Sequence, residues 1–262
     1  LGLDEMKRRL ASGTVDGQNL MEALFLLRTA FIYEPTARLV EAVFSDVYRL
    51  RPAEGKVEEA VLTLKREGFL REDEILSPAH DCYLTSEFRR YYPTGGTQLE
   101  DDLVALSRIV LRHGKFSDCR SMGIFFYSKE AYVRALPYLQ KAANEDPQDA
   151  ILGYLLGLAL YKTGKLREAV EALKKVVAAS PYYLDALANL GLLQVGADLP
   201  PEETLATLDR VRSVYHLYRV TAEPPPTIRL SVAGALAFKG DVLSRMGRDE
   251  DAIRAFDDVI RT

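Results

Sequence analysis

Few side chains in this sequence combine the residue type and the spacing that covalent or metal chemistry demands. Its histidines are His80, His113 and His216, and its cysteines are Cys82 and Cys119. His80 with Cys82 and His113 with Cys119 come nearest to a zinc set, but neither pair keeps the gap of about two to four residues that such sites use. The glycines are singletons apart from Gly95-Gly96, which is not followed by the lysine and hydroxyl residue of a phosphate-cradling loop. No Ser-His-Asp or Cys-His order stands out, and Cys119 reads as a small packed residue. The acidic runs Glu72-Asp73-Glu74 and Glu100-Asp101-Asp102 are contiguous, as in a solvated turn or a helix start, and do not form a cation cage. The expectation is no catalytic residue, no cofactor and no metal ion, and hence no enzyme. What remains is the chemistry of contact, in which apolar and tyrosyl side chains bury surface and hydrogen-bond a partner's backbone.

Composition narrows the class further. Of 262 residues, 48% are hydrophobic and 27% charged, with 34 basic against 38 acidic side chains and a net charge of −4. Such a balance specifies a folded chain of about two domains and excludes intrinsic disorder. Charge is spread evenly along the chain, so neither half carries the basic footprint of a strong nucleic-acid binder. Two cysteines are too few for a disulfide scaffold, which points to a reducing, cytoplasmic setting. No apolar run approaches the roughly 20 residues that span a bilayer. The opening LGLDEMKRRL lacks a signal peptide's order of charge, apolar stretch and cleavage site, although a signal or anchor upstream of Leu1 stays open.

The elements that would position contact residues emerge from an internal period. Gly123, Gly157 and Gly191 are 34 residues apart, as are Ala135 and Ala169, and Pro147 and Pro181. Gly240, Ala252 and Val259 restate the order after a spacing of 49, which is one period plus 15 inserted residues. Within the second unit Leu152, Leu155, Leu156 and Leu160 step at helical spacing, Gly164 interrupts, and Leu166, Ala169, Val170, Leu173, Val176 and Val177 resume before Pro181. Each unit is a helix hairpin. Gly123 and Gly157 would let its two backbones approach closely, and proline ends its second helix.

These residues, and the segments GLALYKTGKLREAVEALKKVVAASP and GDVLSRMGRDEDAIRAFDDVI, resemble the tetratricopeptide repeat family. The resemblance spans residues 116–262, with units starting near 116, 150, 184 and 233. It implies an all-α, right-handed superhelical solenoid of stacked hairpins. The third unit departs from the pattern. Pro200-Pro201 intervene, Leu205, Leu208, Val211 and Val214 carry a helix on toward Tyr218, and Glu223-Pro224-Pro225-Pro226 must break it. An insertion in a solenoid projects from one face, which makes Tyr215, His216 and Tyr218 candidate contacts.

Residues 1–96 support two readings, with Leu99 to Leu111 a helix connecting them to the array over residues 97–115. Ala23, Ala30 and Pro35 reproduce the spacing of Ala135, Ala142 and Pro147, as a degenerate repeat would. Alternatively, ARLVEAVFSDVYRL, KVEEAVLTLKREGFL and DCYLTSEFRRYY resemble a winged helix-turn-helix, with a wing strand over Asp81 to Thr85. The recognition helix would carry Glu58, Glu59 and Glu67 against Lys56, Lys65 and Arg66, which gives no net pull on phosphate and makes nucleic acid an unfavoured partner.

Counting from each repeat glycine, the inward positions fall three before it and one and four after it, about one helical face. They are Arg120, Ile124 and Tyr127, then Tyr154, Leu158 and Tyr161, then Ala188, Leu192 and Val195. Family members that grip acidic C-termini place lysine, arginine and asparagine here. In this sequence Leu158 and Leu192 replace the asparagine and Tyr154 the lysine. The resemblance therefore implies an adaptor that binds an apolar or amphipathic protein segment. The alternative is a transcription regulator with a DNA-reading N-terminal part and a sensor or dimerisation array. Ala255, Phe256, Val259 and Ile260 close the last unit with no polar helix to cover them, so the expectation is either that the native chain continues or that this end meets a second copy of the chain or another partner.

Overall fold

The computed structural model describes residues 36–66 and 97–260, together with Leu20, Ala23, Leu24, Leu26, Leu27, Ala30 and Ile32. Every regular element among the described residues is an α-helix, as expected of an all-α chain. Two compact units divide at Lys129 and Glu130.

The first unit contains α1 (Ala37–Asp46), α2 (Lys56–Arg66), α3 (Thr97–His113) and α4 (Phe116–Ser128). Thr36 caps α1, its hydroxyl accepting the Leu39 N–H at 3.2 Å. Leu39, Val40, Val43 and Phe44 then form one buried face, and α1 packs on α2 and α3. Helix α1 stops at Asp46, short of the Leu50 expected from the sequence. Arg49 adopts a φ of 58°, and the Leu50 N–H returns to the Phe44 carbonyl at 2.9 Å. Leu20, Ala23, Leu24, Leu26 and Leu27 are helical and buried. The proposed wing strand at Asp81 to Thr85 lies outside the described residues, as do His80 and Cys82. Cys119 is buried on α4 beside the Val110 carbonyl, and Asp118 accepts the Lys115 N–H at 2.9 Å to cap that helix.

The second unit is a run of hairpins: α5 (Tyr132–Glu145), α6 (Ala150–Lys162), α7 (Leu166–Ala179), α8 (Leu184–Gly196), α9 (Pro201–Thr221), α10 (Pro226–Arg245) and α11 (Asp249–Ile260). Helices α6 with α7, α8 with α9, and α10 with α11 pack as pairs, and α7 also packs on α8. The repeat glycines sit where the paired helices cross. A Cβ on Gly157 would lie 2.7 Å from Leu173 Cδ2, one on Gly191 2.5 Å from Leu208 Cδ2, and one on Gly240 2.6 Å from the Phe256 ring.

Seven residues after each repeat glycine comes a left-handed backbone position: Glu130 (φ 57°), Gly164 (80°), Asp198 (51°) and Gly247 (71°). At Gly164 the turn is a Schellman motif. The Gly164 N–H bonds the Tyr161 carbonyl and the Lys165 N–H bonds that of Leu160, at 3.0 and 2.9 Å. Gly247 repeats it through Ser244 and Leu243, and Asp198 through Val195 and Gln194.

The inserted residues add length to two helices. Helix α9 has 21 residues against 14 in α5 and α7, and α10 has 20 against 13 in α6 and α8. Each thus gains about two turns, roughly 10 Å at 1.5 Å per residue. Helix α9 runs past Tyr218, as expected. Pro226, read as part of the break, instead opens α10, because a first-turn proline loses no hydrogen bond. The lengthened pair is tied together by Asp209 to Lys239 at 2.6 Å and fastened to α11 by Arg212 to Asp258 at 3.0 Å.

Candidate functional site

Helix α6 is positioned by Asp149, whose carboxylate accepts the Leu152 N–H at 3.0 Å. With Leu152, Leu156, Ala159 and Leu160 buried, its remaining face carries Tyr154, Leu158 and Tyr161. Tyr154 and Leu158 are half-buried, and Tyr161 is 43% exposed with the Lys162 ammonium 6.0 Å over its ring. The Tyr154 hydroxyl accepts from Asn189 Nδ2 at 3.1 Å, and its ring lies 5.2 Å from that of Tyr183. Burial, then the Asp185 and Asp149 carboxylates, push the Tyr183 hydroxyl above its usual range, keeping it neutral. Tyr154 thus spends much of its contact capacity inside the array, while Tyr161 does not.

On α8 the expected residues diverge. Leu192 and Ala188 line a cleft of about 200 Å³, whereas Val195 leans on the buried cluster of Leu205, Val242, Leu243, Ala252 and Ala255. The opposite wall of the cleft is α10, through Leu230, Ser231, Gly234, Ala235 and Phe238. Sequence reading missed this wall. Its signal was the four-residue spacing of Leu230, Gly234 and Phe238 along the stretch after the prolines, which places them on one helical face. Leu230, in the second turn of α10, is 76% exposed at the rim of the cleft.

At the lengthened hairpin, Tyr215 is 3% exposed with the Arg219 guanidinium 5.8 Å over its ring, so it is a core residue and not a surface contact. His216 is exposed and Tyr218 half-buried, with Leu217 and Val220 exposed beside them. In the first unit, Arg120, Ile124 and Tyr127 are half-buried on α4. On α11, Ile253, Phe256 and Ile260 form an exposed apolar stripe, while their counterparts on α7, Val170, Leu173 and Val177, are buried. No group of three or more His, Cys, Asp or Glu side chains suited to a metal occurs among the described residues. No helix among them is long and apolar enough to cross a membrane.

Residues 126–190 match the family model described as tetratricopeptide repeat. Within those residues the chain carries tetratricopeptide repeats. A stretch of the chain also resembles a curated protein of Candida albicans (strain SC5314 / ATCC MYA-2876) named peroxisomal targeting signal receptor. The two are 32% identical over 71 residues, which is 27% of this chain and 12% of that protein. The chain thus spans about an eighth of the length of that curated relative. Among solved structures, a crystal structure of MamA superposes with a TM-score of 0.51 at 17% identity, covering 66% of this chain and 91% of that one. A second MamA structure also gives 0.51 at 17% identity, covering 67% and 86%. At that identity the likeness is one of fold, and it is the fold of the repeat solenoid.

Proposed function

We propose that this chain is a non-enzymatic protein-interaction scaffold that captures an apolar or amphipathic segment of another protein. The face that binds it is built from the first helices of the hairpins, α6, α8 and α10. The observation that carries the reading is the open cleft between α8 and α10, whose lining includes no ionisable side chain. Leu158 and Tyr161 on α6 and Leu192 on α8 offer exposed or half-exposed apolar surface on those same helices. Tyr154 holds the face in place through Asn189, and Val195 supports α8 from beneath. In the first unit Arg120, Ile124 and Tyr127 present the same mixture on α4. The likeness to a protein named as a receptor for a targeting signal favours a peptide over a small molecule.

Peptides selected from a phage-displayed library against the intact chain test this directly. The variant Leu158→Asp with Tyr161→Ala should weaken the selected peptides at least tenfold by fluorescence anisotropy while shifting the thermal transition by only a few degrees. Unchanged affinity would reject this face. The α11 stripe is the further surface on which a second copy would pair, and Ile253→Asp should then lower the mass measured by sedimentation equilibrium.

A further inference from the structure

The two added turns of α10 do more than lengthen a hairpin. Without them the helix would begin near Ala233, as α6 and α8 begin seven residues before their repeat glycines, and Leu230 and Ser231 would be missing from the cleft wall. We infer that the insertion builds a specificity pocket: the cleft between α8 and α10 takes one uncharged side chain of leucine or phenylalanine size from a partner's extended segment and rejects an acidic one. This rests on the scaffold reading above and assigns what that face selects.

Three features of the cleft define the occupant. Its volume of about 200 Å³ is below the roughly 300 Å³ at which small-molecule sites begin, so it suits a single side chain. Because no charged group lines it, a carboxylate placed there would lose hydration and gain no partner. Its polar atoms are acceptors. Asn189 Nδ2 is committed to the Tyr154 hydroxyl at 3.1 Å and to the Asp185 carbonyl at 2.8 Å, which fixes the amide's orientation and leaves its oxygen to receive a hydrogen bond. The Ser231 hydroxyl donates to the Thr227 carbonyl at 3.1 Å, so it too presents lone pairs. An apolar side chain flanked by its own backbone N–H groups complements both. Gly234 is the point at which the pocket can be closed, since a Cβ built there meets nothing within 4 Å.

The test is a methyl NMR titration of the full chain with N-acetyl-leucine methylamide, N-acetyl-phenylalanine methylamide and N-acetyl-aspartate methylamide. The leucine and phenylalanine probes should shift the Ala188, Leu192 and Leu230 methyls saturably, and the aspartate probe should not. Gly234→Leu should remove those shifts and weaken library-selected peptides at least tenfold while the thermal transition stays within a few degrees. Equal shifts from all three probes, or shifts that survive Gly234→Leu, would overturn the pocket. So would a change of sedimentation coefficient in Gly234→Leu, which would make a second copy the occupant. Selected peptides that lose affinity on Leu158→Asp with Tyr161→Ala but not on Gly234→Leu would keep the scaffold reading and sink the pocket alone. Probe binding without any selectable peptide would do the reverse.

Discussion

The glycines of the repeat do two separable jobs, and their neighbours decide what each is worth. At Gly157 an added methyl would meet Cδ2 and Cγ of Leu173, which is wholly buried and has nowhere to go. Overpacking of that kind costs about 1–3 kcal/mol, offset by roughly 1 kcal/mol of helix propensity, so Gly157→Ala should lose up to about 2 kcal/mol of stability in urea denaturation. Gly240→Ala should be close to neutral. The obstructing group there is the Phe256 ring, which is 43% exposed and can swing outward. The left-handed turn position gives a prediction of opposite sign. Asp198 occupies at φ 51° the place that glycine takes at 164 and 247, so Asp198→Gly should raise the unfolding free energy by about 0.5–1 kcal/mol, read as a higher urea midpoint. The packing glycines were legible from their 34-residue spacing. The turn position was not, because Glu130 and Asp198 carry no compositional sign of a conformation that only the backbone displays.

Between elements, the informative contact is a polar one linking three helices. Lys174 on α7 meets Glu203 on α9 at 2.8 Å, and Glu203 accepts from Gln194 Nε2 on α8 at 3.2 Å. Gln194 is 1% exposed, whereas the Lys174 and Glu203 side chains are 36% and 41% exposed. Removing Glu203 therefore strands a buried amide, at about 1–3 kcal/mol, while removing Lys174 forfeits a solvent-screened pair worth at most about 1 kcal/mol. Glu203→Ala should lower the melting temperature clearly more than Lys174→Ala, and equal effects would show that the amide finds another partner. The hairpins themselves were readable from apolar steps at helical spacing, down to the extension of α9 toward Tyr218. The start of α10 was hidden because a proline reads as a stop, and nothing local separates a proline that ends one helix from a proline that opens the next. The missed cleft wall follows from that same ambiguity, since Leu230 and Ser231 come directly after the prolines.

For the molecule as a whole, acid and alkali should act through different groups. The hydrogen bond that Lys174 donates to Glu203 raises the Lys174 pKa above its ordinary 10.5, and burial raises that of Tyr183 above 10.0. Both groups hold their protons more tightly when folded. Their contribution is therefore complete below those ordinary values and is lost as pH rises through the folded ones. Arg254 and Arg248 lower the Asp251 pKa below 3.8, so its contribution is present above that value and is lost as pH falls through the folded one. Melting temperature followed from pH 9 to 11.5 should decline, and Tyr183→Phe should flatten the slope. An unaltered slope would mean that the Tyr183 hydroxyl titrates alike in the folded and unfolded states.

The growth of α9 and α10 by seven residues apiece also fixes how this hairpin tolerates further change in length. Seven residues complete nearly two revolutions, falling short by about 20°, so a heptad added to each arm moves the tip outward while hardly rotating either arm. Five residues added to one arm would instead turn its outer half by about 140° and carry Leu230 out of the cleft. The arms of this hairpin are thus quantised: they can be lengthened or trimmed in matched sevens, with the reach of the tip changing in strides of about 10 Å.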